Sequence, residues 1–159
     1  MNLARVIRLD ESDENVFDRA AEPGEWAIPG TFAFANWTEA ELSDSRAQLR
    51  FRNSWLGLES FGQATVVAVA AVTEAEREAL IIRLSEHFVA EYGAPDLDAA
   101  RPVAEEEIGQ MQSLCDDHEP NTMILLDRSL EDVGVRERIR IVAPRSASLE
   151  AFAVHGDLN

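Results

Sequence analysis

The sequence contains no lysine; all fourteen basic residues are arginine. It has one cysteine, which excludes an internal disulfide and suits a reduced, intracellular setting. It has no long apolar run. The longest, VVAVAAV from Val66 to Val72, falls well short of the roughly 20 residues that a membrane-spanning helix needs. The opening MNLARVIRLDESDE has two arginines but no apolar stretch and no small-residue cleavage site, which reads as no signal peptide. Positive charge is also scarce: the formal net charge is −16. Such a field repels phosphate backbones and anionic headgroups. These absences argue against nucleic acid and membrane as partners and point to a cytoplasmic protein, for which a basic protein surface is the better match.

Catalytic signatures are missing too. LESFG is not a G-x-S-x-G elbow, and there is no P-loop, G-x-G-x-x-G or H-E-x-x-H. Counted from Asp10, a calcium loop needs glycine at its sixth place and glutamate at its twelfth, where the chain has Asn15 and Ala21. Asp10 to Asn15 therefore reads as a solvated polar turn. No catalytic residue and no cofactor is assigned.

What is present is a globular composition, 46% hydrophobic and 28% charged, with enough chain to bury one core. Residues 3–9 alternate as a strand. AEPGEWAIPG spells turns around Trp26 and Ile28, and the segment 10–30 reads as loop-rich. TFAFANW, 31–37, reads as a second strand from its aromatics. Thr38 to Glu41 and Thr73 to Glu76 share the letters TEAE, each matching a capping box. Residues 46–56 fit either a strand or a helix, and a helix ended by Gly57 is the preferred reading. ATVVAVAAV, 64–72, is apolar on both faces, as a buried strand is.

A helix over about 74–92 follows, capped by Thr73 and stopped by Gly93 and Pro95. A second runs over about 97–117, with Pro102 near its start. TMILLDRS and RERIRIVA, 122–129 and 136–143, read as a hairpin around a loop containing Gly134. LEAFAV, 149–154, reads as a last short strand or helical turn. Together these predict a single α+β domain over 1–159, a mostly antiparallel sheet packed against the two long helices.

Four residues are candidate partner contacts. Arg136, Arg138 and Arg140 fall on one strand face, with Ile139, Ile141 and Ala143 on the other. Arg138 and Arg140 are the polar anchors of this row, unless carboxylates such as Asp127 answer them. Trp26 and Phe32, in a Pro- and Gly-flanked loop, are the apolar anchors; the same loop tucked onto the core is the competing reading. The implied partner is another protein, or a second copy in a homodimer.

The alternative is a small-ligand or metal site in LCDDHEP, using Cys115, His118 and Glu119. Against it, Ala104, Ile108, Met111 and Cys115 are spaced four, three and four apart on one apolar stripe, which turns the thiol inward. Pro120 also pushes Glu119 out of helical geometry. For it, the carboxylates lie at the negative end of a helix, where a cation would relieve them. His87 reads as a boundary residue paired with Glu91, and His155 as exposed.

LARVIRLD, AEPGEW, LGLESFGQAT and RPVAEEE together resemble a small uncharacterised proteobacterial family known only as a domain of unknown function. The resemblance runs from Leu3 to the hairpin. It implies no functional residue. It implies a loose association with gene clusters for molybdenum-dependent formate dehydrogenase and its accessory factors.

Overall fold

Alternation places the first strand, β1 (Asn2–Ile7), at the centre of the sheet in the computed structural model, which describes residues 1–144. The segment 149–154 and His155 lie outside the described residues. The other strands are β2 (Trp26–Ile28), β3 (Trp55–Gly57), β4 (Gln63–Ala64), β5 (Val66–Ala71), β6 (Met123–Glu131) and β7 (Gly134–Val142). Their order is β4-β3-β2-β1-β5-β6-β7, with every neighbouring pair antiparallel. The fold is α+β, a curled antiparallel sheet packed with helices.

Two long helices supply the other layer: α3 (Glu74–Glu91) and α4 (Leu97–Asp116), after the shorter α1 (Ser12–Val16) and α2 (Ser45–Asn53). The Thr73 box forms in both directions: Thr73 Oγ1 accepts from Glu76 N at 3.1 Å, and Glu76 Oε1 from Thr73 N at 2.9 Å. Gly93, at φ +75°, turns the chain out of α3. Asp96 caps α4 through Ala99 N at 2.8 Å. The helices pack on each other, and α4 on β1 and β2. The core joins Leu3, Val6, Ile28, Trp55, Val67 and Val69 of the sheet to Ile81, Leu84 and Phe88 of α3 and Ala104, Ile108, Met111 and Cys115 of α4. No helix among the described residues is long and apolar enough to cross a membrane.

Several local expectations differ from the structure. Residues 31–37 are not a strand: Thr31–Phe34 form a 3-10 turn after Gly30, at φ +67°. The turn sends its aromatics two ways, Phe32 to Phe88 and Phe34 to Phe51, which an extended strand would not do. The chain does turn at Pro23–Gly24 and at Gly30, and between them Trp26 to Ile28 form the strand β2, paired with β1 and β3. The Thr38–Glu41 pair forms, with Thr38 N 2.6 Å from Glu41 Oε1, yet it leads only to a 3-10 turn, and α2 is capped by Asp44.

The helix read at 46–56 ends at Asn53. Ser54 turns extended, and the wholly buried Trp55 opens β3 against Ala64. The continuous strand expected at 64–72 is split at Thr65. There Thr65 donates from its backbone N–H (3.2 Å) and its hydroxyl to the carboxylate of Asp13. Asp13 is thus buried within α1, not part of a solvated turn. The hairpin forms with longer strands and a tighter connection than expected, only Asp132 and Val133 lying between them.

Candidate functional site

On β6, Ile124, Leu126 and Arg128 are buried, while Met123, Leu125 and Asp127 alternate with them half in solvent. β7 pairs in register, Asp127 opposite Arg138 and Leu125 opposite Arg140. The two predicted arginines are therefore brought together, exposed and two residues apart on one face. Arg52 reaches the same face from the last turn of α2, where a cation is favoured by the helix dipole. Asn53 Nδ2 donates to Leu126 O at 2.9 Å and docks that helix end on β6. The result is an open groove of about 450 Å³ lined by Arg52, Asn53, Leu125, Asp127, Arg138 and Arg140.

Charge in this groove is unbalanced. Asp127 is its single lining carboxylate, and Arg52 takes it at 3.3 Å. Arg136 reaches Glu131 at 3.9 Å. Arg138 and Arg140 form no ion pair within the described residues.

The other predicted anchors lie elsewhere. Trp26 is half-buried beneath the Arg5 guanidinium, 3.9 Å from its ring centroid. Phe32 is half-buried and meets Phe88 and Tyr92 edge-on at 5.0 and 5.2 Å. Both pack against the core, as the tucked-loop reading has it, and neither borders the arginine groove.

Cys115 is wholly buried, and burial, with Asp116 adding to it, pushes its thiol up to about 12. α4 stops at Asp116, so His118 and Glu119 do not continue its face. Among the described residues, no group of three or more His, Cys, Asp or Glu side chains is arranged to hold a metal ion. The helix end is instead tied to the chain start. Asp116 Oδ1 accepts from Asn2 N at 2.6 Å, and Asn2 Nδ2 donates to His118 O at 3.3 Å. Those donors answer one of the carboxylates that had suggested a cation, and a carbonyl beside it.

Two features went unread in the sequence and a third, His87, was read only in part. Arg128 is fully buried: it donates to Thr31 Oγ1 and Phe51 O, both at 2.8 Å, and to Pro29 O, with the Phe34 ring 4.8 Å away. Burial pulls it down to about 10, with nearby Glu137 opposing, so it stays charged at neutral pH. Its signal was parity, since 124, 126 and 128 share one strand face.

Beside it, Glu107 and Glu137 line a cleft of about 420 Å³ with Phe32 and Thr31. The partial burial each has in this cleft pushes both carboxyls up, and Glu137 raises Glu107 further. Third, His87 lies flat on Phe61, 3.8 Å between centroids, and burial lowers its pKa despite Glu91. Phe61 takes φ +57° to do so, a left-handed conformation unusual for a bulky side chain.

No curated protein and no solved structure matches the chain. The model of one family, described as a family of unknown function, matches residues 1–159. The chain therefore belongs to that family, DUF6505.

Proposed function

We propose that the protein is a non-enzymatic accessory domain of the cytoplasm that binds a protein partner through the hairpin face carrying Arg138 and Arg140. The observation that supports this is the local charge. Three guanidinium groups, from Arg52, Arg138 and Arg140, surround one carboxylate in a groove, on a chain whose net charge is −16. Arginine suits recognition of carboxylates because its planar fork of donors matches them two at a time. Leu125 and Ile139 add apolar surface beside the guanidinium groups. Trp26 and Phe32 pack against the core, outside this groove. The motif resemblance directs the search for the partner toward the subunits and accessory factors of molybdenum-dependent formate dehydrogenase.

Amide NMR of the full chain titrated with hexaglutamate tests the assignment. Shifts concentrated on β6, β7 and Arg52, and lost in the R138A/R140A variant, are expected. Shifts spread evenly over the chain, or unchanged in the variant, overturn it.

A further inference from the structure

Resting on that reading, we infer that the occupant of this surface is an extended acidic segment of another protein, added to β7 as a further strand, and not a second copy of this chain. β7 is last in the sheet order, and β6 is its one hydrogen-bonded neighbour among the described residues. It is nine residues long, has no proline, and is exposed from Arg136 to Ile141. An edge of that kind turns alternate backbone N–H and C=O groups outward, ready to pair with an added chain. Long apolar edges invite indiscriminate pairing, and charged side chains are one way proteins prevent it. Here the guard is a single row of like charge, which admits one class of strand.

The two faces of β7 specify that class. Arg136, Arg138 and Arg140 lie on one, Val135, Glu137, Ile139 and Ile141 on the other. Side chains directly opposite across a new strand pair touch, so carboxylates at alternate positions meet the arginines. Apolar residues between them meet Ile139 and Ile141, which are 37% and 38% exposed.

A second β7 fits badly in either orientation. With both sheets facing the same way, Arg138 meets Arg138 and Arg136 meets Arg140. With one sheet flipped, one arginine can meet Glu137 but the other two fall opposite apolar residues such as Val135 and Ile139. The repulsion between an acidic segment and the acidic body is screened beyond about 8 Å at physiological salt, leaving the adjacent arginines in control.

The test uses a fluorescein-labelled peptide of alternating glutamate and valine, read by anisotropy with the full chain. Three comparisons follow: the peptide with alternate amides N-methylated, its lysine–valine counterpart, and the R138E/R140E variant. Strand addition predicts binding weakened about tenfold or more by N-methylation, because outward backbone groups lose their partners. It also predicts that the R138E/R140E variant prefers the lysine peptide.

Equal binding of the methylated peptide overturns strand addition while leaving the arginine surface as the docking face. Absence of binding by the acidic peptide, with hexaglutamate also failing to shift β7, overturns both readings. A dimer in sedimentation that R138A/R140A dissociates overturns the exclusion of a second copy.

Discussion

Ser60 gives Glu25 two donors at once: its backbone N–H lies 2.8 Å from Oε1 and its hydroxyl 2.7 Å from Oε2. Glu22 N and Glu59 N add two more, at 2.6 and 3.1 Å. Among the described residues Glu25 is buried without a cation, and four donors take the place of one. AEPGEW and LGLESFGQAT, two of the strings that carry the family resemblance, meet at this carboxylate.

Replacing Glu25 with glutamine sets an amide NH₂ against these donors and is expected to cost about 1–3 kcal/mol. Burial alone pushes the Glu25 carboxyl up, but the hydrogen bonds from Ser60, Glu22 and Glu59 outweigh it and hold the group below the usual glutamate range. A depressed value in the fold stabilises above the unfolded pKa, and that stability is lost as pH falls through the folded one. Urea denaturation should therefore show the widest gap between parent and variant at neutral pH, narrowing in acid.

Gly57 passes so close to this group that an added Cβ would lie 2.5 Å from Glu25 Oε1 and 3.0 Å from Ala21 Cβ. Gly57→Ala is expected to destabilise by roughly 1–3 kcal/mol. Gly109, within α4, has only the far end of Arg77 nearby, at 3.8 Å. Gly109→Ala should raise stability by about 0.5–1 kcal/mol, since alanine loses less backbone freedom in a helix. Thermal melts of the two single variants should move in opposite directions.

Glu107 shows the opposite pH behaviour from Glu25. Burial and the facing Glu137 raise its carboxyl pKa, so its contribution favours the fold below the unfolded glutamate pKa and fades as pH rises through the folded value. Glu107→Gln removes a charge that the cleft disfavours at neutral pH. The variant should melt above the parent there, by up to about 1 kcal/mol, with the gap closing in acid. A variant that melts lower at neutral pH would count against this account of the cleft.

Cys115, buried and with its thiol pushed up to about 12, has almost no thiolate at neutral pH. A disulfide reagent should label it only as fast as the chain opens, and at once in denaturant. Rapid labelling of the native protein would place the thiol in an accessible site.

The parts legible in the sequence were those whose signal is local. Thr73, Glu76 and Gly93 mark α3 by themselves, the stripe from Ala104 to Cys115 orients α4, and strict alternation sets Arg138 and Arg140 on one face of β7. Illegible were the elements decided by residues far along the chain. Thr65 breaks a run of strand-forming residues because Asp13 holds it. Thr31–Phe34 form a turn that Arg128 anchors. The same holds for the groove: Arg52 enters it from a helix 75 residues before Asp127, a meeting that no spacing announces.

Arg128 also constrains the order of events during synthesis. It joins Thr31 and Phe51 across separations of 97 and 77 residues. Both leave the ribosome long before their guanidinium partner is made. Until then the segment holding Phe34, Trp37 and Phe51 lacks the residue that fastens it to the sheet, so a nascent chain paused ahead of β6 is the species a chaperone has most reason to hold.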